Sequence, residues 1–539
     1  MNGFQTGESV FVKVLFWTGI RTSFRVSRFF LLPVLTLFLG YCSNLLHPNL
    51  KEDGNSFSAS QLLSLVAYSP NCSGDGAFWA RDLASNTSYC AQAHLAASGQ
   101  YVNIYAENTL PNTLDYQNIS FQFDSQIYPR LTSAFGTPND LDKDGKVTIL
   151  ILDIRDGSLP GGSFVAGYFD PADYYPDSIF SRVRSNYQDM LYLDGVQLVN
   201  LRNQDLAAGK PDTLLATLSH EYQHLVRFQY EALALAQGGN RDETWINEGT
   251  SEVASDIAGY SPQSARIRCY RGNMPGACAR GVNGAALFGS PLYNSVVDYA
   301  FSYPFMKYLY LSAGGNTDER DLFFKASVQG IAGFRGTDAV NLFETFRRTS
   351  AAYTTQDPIV GELGSAAADT FRRMFVSFLW QSIGDNTPDF MQAGTDTTGS
   401  PALLQSLESI MFRFPLIGIN MDGIDLEGLY LPYRLSDISP LWTLNPGQFQ
   451  FVRVDRQNVN ASPGLFLVKK NFSGTLYSMQ INTEPYRMGG ISFSYARTSS
   501  DEETTGGIVL PDSDEPSPVC PHDFLKNSAS NRTTILSPF

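Results

Sequence analysis

The sequence predicts an α+β fold in which a small sheet precedes a mainly helical region and a small all-β domain ends the folded part. Three observations predict it. Strand-like apolar runs occur in the first part of the chain, at 101–105, 147–152 and 190–193. Helical patterns then dominate, at 212–258, 294–313 and 370–383. Beyond about residue 430, strand-like runs return between Pro, Gly and Asn residues, at 448–454, 465–468 and 491–495.

The composition excludes several classes of protein. The chain has 539 residues and a formal net charge of −15. A hydrophobic fraction of 43% suits a globular protein and excludes a wholly disordered chain. Phosphate binding needs a basic face, so the acidic balance argues against nucleic acid as a partner. No apolar run reaches the ~18–20 residues that a membrane-spanning helix needs, which excludes a multi-span transporter.

The first 41 residues have the pattern of an export signal. Four basic residues precede an apolar stretch at 29–39, the order typical of a secretory signal peptide. The following L-G-Y-C at 39–42 resembles a bacterial lipobox, except that Tyr41 stands where a small residue is usual. We expect a lipid on Cys42 that anchors the exported protein to a bacterial membrane, at the outer membrane or the cell surface. Ordinary secretion and an uncleaved anchor are the alternatives.

The chain divides into five segments. Residues 1–41 are the expected lipoprotein signal peptide, and the polar residues 42–75 are a tether. Residues 76–430 are the main folded region, with a sheet lobe to about residue 210 and a helical lobe after it. A small β domain follows at 431–497. Residues 498–539 are rich in Ser, Thr, Asp, Glu and Pro, and we expect them to be disordered.

The cysteines fit an oxidising compartment. Cys72 and Cys90 are close in sequence, as are Cys269 and Cys278. This spacing predicts two local disulfides, with free thiols as the alternative. Cys520 is then left without a predicted partner.

The main chemical signal is an H-E-x-x-H sequence formed by His220, Glu221 and His224. Residues 213–227 contain no Pro or Gly and carry an apolar stripe, so the motif is predicted to lie on a helix. Positions i and i+4 share a helix face, so both imidazoles can reach one zinc ion. Glu221 lies about 100° around the helix, where it can act as general base for a zinc-bound water. The alternative is a helix with two buried histidines and a surface glutamate.

A catalytic zinc needs a third protein ligand. The W-I-N-E-G sequence at 245–249 resembles the second motif of the gluzincin peptidases, in which an Asn-Glu pair on a following helix supplies that ligand. The resemblance implies that Glu248 binds zinc. It also implies that Glu252, one turn further, accepts the ring N–H of a ligand histidine; a solvated helix face is the alternative. Glu231 and Glu243 are rival third ligands.

A tyrosine-rich segment lies about fifty residues beyond Glu248. In the aminopeptidase branch of the gluzincins, a tyrosine before a later helix donates a hydrogen bond to the oxyanion of the tetrahedral intermediate. The spacing to the pair Tyr308-Leu309 favours Tyr299 as this donor, with Tyr303 second. The alternative is that both tyrosines only pack in the core.

An acidic turn precedes the strand-like run at 147–152. Asp140, Asp142 and Asp144 alternate before a glycine, as in the front of a calcium loop. The turn is not an EF-hand, because Ile151 stands at loop position 12, where the bidentate acid is needed. The pattern predicts either a Ca²⁺ site or a plain acidic turn.

These motifs occur together with G-Y-F-D at 167–170 and D-M-L-Y-L-D at 189–194. Their order resembles the hyicolysin family of neutral zinc metallopeptidases, within the gluzincins, over about residues 100–315. The resemblance implies a small twisted sheet, a cleft and a helical lobe. It also implies an edge strand around 190–193 that holds extended peptide by β-augmentation. No aminopeptidase G-A-M-E-N sequence precedes the active helix, which favours an endopeptidase.

We therefore expect an endopeptidase that hydrolyses protein substrates outside the cytoplasm, with one Zn²⁺ on His220, His224 and Glu248. Glu221 is expected to take a proton from the attacking water and pass it to the leaving nitrogen, while Tyr299 and zinc share the oxyanion. Two other functions stay open. One is a surface lipoprotein that binds host or matrix proteins on a peptidase scaffold, and the other is a zinc hydrolase of a non-peptide substrate.

Overall fold

The structure is a computed structural model. It describes residues 72–158, 164–178, 181, 183–272, 278–288, 295–382, 409–410, 412–416, 444–450, 481–483 and 485, and the backbone of 391–392, 451–454, 465–470, 476–480 and 518–519. The predicted signal peptide, Cys42, nearly all of the tether, the strand at 491–495 and most of the predicted tail, with Cys520, lie outside the described residues. Lipidation of Cys42 therefore stays a prediction. None of the described helices combines the length and the apolar character that a membrane span requires.

The first lobe is a six-stranded mixed sheet with the strand order β1-β2-β3-β4-β7-β6. The first three strands are antiparallel, β3, β4 and β7 run parallel, and β6 is antiparallel to β7. Every residue of β4 is buried, because this central strand is covered on both faces. The strands are β1 (Ala77–Asp82), β2 (Thr87–Ser98), β3 (Val102–Glu107), β4 (Val147–Leu152), β6 (Gly167–Tyr168) and β7 (Met190–Asp194), with β5 (Phe164–Val165) just before β6.

The edge strand of this sheet beside the cleft is β6, the other edge being β1, and the prediction that the strand around 190–193 forms the edge is wrong. β7 pairs with β4 on one side and with β6 on the other. Strand β6 has almost no signal in the sequence, because it has only two residues. One of them is Gly167, and glycine is a poor strand former. The glycine is required here, since a Cβ atom at this position would lie 2.9 Å from both Leu193 and the backbone of Tyr192.

The predicted helices are present, and the structure adds others that the sequence analysis did not predict. The segment 212–258 forms two helices, because the chain turns at a Gly-Gly pair after the first. Asp212 caps the first helix by accepting hydrogen bonds from the backbone N–H groups of Leu214 and Leu215, at 3.1 and 3.2 Å. The helices are α1 (Tyr116–Gln122), α2 (Tyr128–Phe135), α3 (Gln197–Ala207), α4 (Thr213–Ala236), α5 (Thr244–Ile257), α6 (Ser264–Arg271), α7 (Ser295–Ala313), α8 (Thr317–Gln329), α9 (Ala339–Thr349), α10 (Ala351–Thr354) and α11 (Ala367–Gln381).

One continuous apolar core joins the sheet to the helices, and a second cluster covers the opposite face of the sheet. Helices α5 and α7 approach each other closely at Gly249, where a Cβ atom would lie 3.1 Å from the carbonyl oxygen of Ser302. The glycine of the N-E-G motif therefore has a packing role, which is to bring α7 close to the helix that carries Glu248.

A second sheet of four strands has the order β8-β10-β11-β9. It is built from β8 (Met391–Gln392), β9 (Phe449–Val454), β10 (Leu465–Lys470) and β11 (Leu476–Ile481). The start of β9 packs on the helical lobe, where the backbone N–H of Gly284 donates to the carbonyl of Phe449 at 3.0 Å. The edge strand β8 of this sheet precedes residue 430 and therefore lies outside the predicted β domain at 431–497. A last short strand, β12 (Pro518–Val519), pairs in parallel with β5.

Both predicted disulfides are present. Cys72 is bonded to Cys90, and Cys269 is bonded to Cys278. The first ties the start of the described chain to β2. The second links the end of α6 to the segment that precedes α7.

Candidate metal centre and cleft

The structure brings His220, His224 and Glu248 together in one buried cluster. The Nε2 atoms of the two histidines are 3.1 Å apart. The carboxylate oxygen Oε2 of Glu248 lies 3.4 Å from Nε2 of His220 and 3.3 Å from Nε2 of His224. Three ligand atoms from two helices thus face a single point.

These distances suit a tetrahedral ion. Two ligand atoms that each lie ~2.0–2.1 Å from a tetrahedral zinc are about 3.3 Å apart. Both oxygens of the Glu248 carboxylate are buried, and neither makes a hydrogen bond of normal geometry with the described residues. A buried carboxylate in that position needs a positive charge beside it, which a metal ion or a protonated histidine can supply. Two imidazole nitrogens and one carboxylate oxygen form a donor set that zinc accepts, so the three residues fit a zinc ion.

Without a metal, a proton on His224 supplies the positive charge beside Glu248. Burial lowers the pKa of His224, but the neighbouring Glu248 carboxylate raises it further, to about 9. Burial raises the pKa of Glu248, yet the two imidazoles hold it well below its usual range. The pair is therefore charged when no metal is present. A metal ion must displace that proton in order to bind.

The antiparallel pair of α4 and α5 carries the three residues, and a buried ionic triad fixes the turn between the helices. Asp242 in this turn accepts from Nε of Arg227 at 2.6 Å and from Nη1 of Arg335 at 2.8 Å. Arg227 also donates to the carbonyl of Gly336 at 2.6 Å. Since breaking a buried pair leaves an uncompensated charge, the triad strongly favours one arrangement of the turn. It thereby positions α5, and Glu248 with it, against α4.

A shell of polar groups that the sequence did not predict orients His224. Its Nδ1 atom lies 3.1 Å from Oδ1 of Asn247 and 3.2 Å from Oγ of Ser251. If Nδ1–H donates to Asn247, the lone pair of Nε2 is directed at the metal position. The signal for this role was present in the N-E-G motif, because Asn247 directly precedes Glu248.

Glu252 interacts mainly with a residue that the sequence analysis did not identify. Its Oε1 atom accepts from Nη2 and Nε of Arg266, at 2.9 and 3.1 Å. The distance from this oxygen to Nδ1 of His220 is 3.7 Å, which is longer than a hydrogen bond. Glu252 is buried, so the alternative of a solvated helix face does not apply. The carboxylate lies between the histidine and the arginine.

Glu221 lies where the helix geometry places it, beside the cluster and outside it. Together with His220 it lines a cleft of about 110 Å³, whose wall includes Gly167 of β6 and Arg266. The side chain is only 1% exposed. A carboxylate at this position can exchange protons with a molecule bound between β6 and α4.

The two candidate tyrosines have different surroundings. The ring of Tyr299 is 6.4 Å from the His220 ring, and the guanidinium carbon of Arg266 is 4.7 Å from its centroid. The hydroxyl of Tyr303 donates to Asp256 at 2.8 Å, and Asp256 also binds Lys307 at 2.7 Å. Tyr299 is therefore the candidate beside the metal cluster, and Tyr303 belongs to a separate buried ionic group.

The rival ligands are not part of the cluster. Glu243 accepts a hydrogen bond from the indole N–H of Trp245 at 2.6 Å. Glu231 lies among charged groups near Asp242, and burial raises the pKa of its carboxyl. Among the described residues, only Glu248 joins the two histidines.

The three carboxylates of the acidic turn also lie close together. Carboxylate oxygens of Asp140, Asp142 and Asp144 lie within 4.8 Å of one another, and all three residues are exposed. Exposed carboxylates often adopt such an arrangement without an ion, so calcium at this turn stays a prediction.

The chain is similar to the neutral metalloprotease ShpI of Staphylococcus hyicus, with 29% identity over 252 residues, which are 47% of this chain and 53% of the relative. This chain is a relative of the neutral metallopeptidases. The predicted family resemblance is thereby confirmed. The chain spans about half the length of the curated relative that it matches, and no protein-family model matches it.

Proposed function

We propose that the protein is a zinc endopeptidase that cleaves proteins or peptides. The observation that carries this proposal is the buried cluster of His220, His224 and Glu248, with Glu221 next to it on the same helix. The similarity to a neutral metalloprotease supports it. The two disulfides support action in an oxidising compartment, outside the cytoplasm.

In this proposal, His220, His224 and Glu248 hold the zinc ion. When bound, the ion supplies a Lewis acid that lowers the pKa of a water molecule and polarises the scissile carbonyl. Glu221 accepts a proton from the attacking water and delivers it to the leaving amide nitrogen. Tyr299 donates a hydrogen bond to the developing oxyanion, which fits its place near His220.

The β6 edge of the sheet is the proposed binding surface for the peptide. Gly167 pairs with Leu193, and the backbone N–H of Asp194 donates to the carbonyl of Ala166 at 2.8 Å. In an antiparallel ladder this pattern turns the N–H and C=O groups of Gly167 away from β7, and those of Phe169 as well if the strand continues. We propose that an extended substrate pairs with these groups, so that β6 takes the role predicted for β7.

An endopeptidase is distinguished from an exopeptidase by blocked substrates. We expect the zinc-loaded protein to cleave a ten-residue peptide with an acetylated N-terminus and an amidated C-terminus, because an extended strand needs no free terminus to pair with β6. Mass spectrometry of the products gives the cleaved bond. Cleavage of the unblocked peptide alone, one residue at a time, would show an exopeptidase. Failure to cleave either peptide would contradict peptidase activity itself.

A further inference from the structure

Four aromatic side chains form a cluster beyond Glu221 along α4, outside the lining of the cleft. The ring of Phe228 on α4 lies 5.3 Å from that of Phe169, 5.5 Å from that of Tyr174 and 6.4 Å from that of Tyr175. All four side chains are only partly buried. Contiguous apolar surface that stays partly exposed is common at binding sites.

We infer that this aromatic cluster is a substrate subsite, which accepts an aromatic or large apolar side chain two or three residues before the cleaved bond. The inference rests on the peptidase function proposed above. It adds the class of substrate that the enzyme prefers.

The cluster lies on the same side of α4 as the proposed general base. Phe228 follows Glu221 by seven residues. At ~100° per residue, seven residues return to within about 20° of the same direction. The rise of ~1.5 Å per residue places Phe228 about 10 Å further along the helix axis. A substrate held over Glu221 in an extended conformation along α4 therefore passes over Phe228.

The edge strand connects the two ends of this path. Gly167 lines the cleft beside His220 and Glu221, and Phe169, two residues later, contacts Phe228. A peptide antiparallel to β6 runs from Phe169 towards Gly167, so its N-terminal part lies at the aromatic cluster. An extended peptide advances ~3.3 Å per residue. The distance of about 10 Å then corresponds to about three residues, which places the cluster near the third residue before the cleaved bond.

A rigid turn holds the two tyrosines in place. Asp170 caps the 3₁₀ turn Pro171–Tyr174 by accepting from the N–H of Ala172 at 3.0 Å, and it binds Nη2 of Arg81 at 2.9 Å. Asp173 accepts from the hydroxyl of Tyr192 at 2.6 Å. These buried carboxylates fix the turn before substrate binds. Such preorganisation reduces the entropy lost on binding.

The experiment compares two doubly blocked fluorogenic peptides that differ only before the cleaved bond. One carries Phe at the second and third upstream positions, and the other carries Gly at both. We expect the wild type to cleave the Phe peptide with a kcat/KM at least about tenfold higher, the usual effect of an apolar pocket. Phe228→Ala should reduce this ratio to near 1. Leu233→Ala is the matched control, since Leu233 is on the same helix and 54% exposed.

The outcomes separate the inference from the proposed function. Equal rates for both peptides with the wild type would overturn the subsite and leave the peptidase intact. No cleavage of any peptide would overturn the peptidase, and the subsite with it. Tyr174→Ala removes a second ring of the cluster from a separate element, so the test still stands if Phe228→Ala fails to fold. Melting temperatures show which variants are folded. A folded Tyr174→Ala or Phe228→Ala that keeps the full preference would also overturn the inference.

Discussion

Replacing Glu221 by Gln is expected to lower kcat/KM for a blocked peptide by about 10³-fold, within the ~10²–10⁴-fold range for loss of a general base. The substitution keeps the size of the side chain and removes the group that accepts the proton. Because Glu221 lies outside the ligand cluster, the variant should still bind one zinc per chain. The measurement is peptide hydrolysis together with metal content on the same preparation.

A matched control for this variant is Glu344→Gln. Glu344 is on α9, where it pairs with Arg348 at 2.7 Å in a partly exposed helical ion pair. Such pairs contribute little to stability, so the control should keep wild-type activity and zinc content. A Glu221→Gln variant as active as this control would rule out the proposed role of Glu221.

Replacing Glu248 by Gln is expected to weaken zinc binding by more than about a hundredfold. Loss of partners in the outer shell of a metal site already costs ~10–100-fold in affinity, and Glu248 is proposed as a direct ligand. It is also the group whose negative charge balances the cation in a buried site. Zinc affinity is measured by competition with a chromophoric chelator.

The rival acids provide the controls for this second prediction. Glu231→Gln and Glu243→Gln make the same chemical change near the same two helices, and both variants should keep wild-type zinc affinity. If Glu248→Gln retained full affinity while either control lost it, the third ligand would have been assigned wrongly. A simultaneous loss in all three would indicate a general disturbance of the α4–α5 pair.

The parts of the site that lie on one helix were predictable from the sequence. The spacing of His220, Glu221 and His224 determines their relative directions as soon as the segment is helical. The N-E-G motif added Glu248 through its resemblance to known peptidases. The strand at 147–152 was also predictable, since a continuous apolar run of that length is typical of a fully buried strand.

The remaining parts depend on contacts between segments that are distant in sequence. Arg266 reaches Glu252 from α6, and no local pattern marks it as part of the site. The choice between Tyr299 and Tyr303 depends on Asp256, a residue of another helix. Asp256 accepts a hydrogen bond from the hydroxyl of Tyr303. The edge strand was missed because a two-residue strand with a glycine has almost no sequence signal. Its identity follows only from the pairing with β7.

The most direct test of the central claim is a zinc titration of the metal-free protein, followed by peptide hydrolysis. If His220, His224 and Glu248 hold the catalytic ion, activity should be absent without metal. It should rise linearly and reach a plateau at one zinc per chain. Hydrolysis that is equally fast before zinc is added, or one tightly bound zinc without any hydrolysis of protein or peptide substrates, would contradict a zinc peptidase.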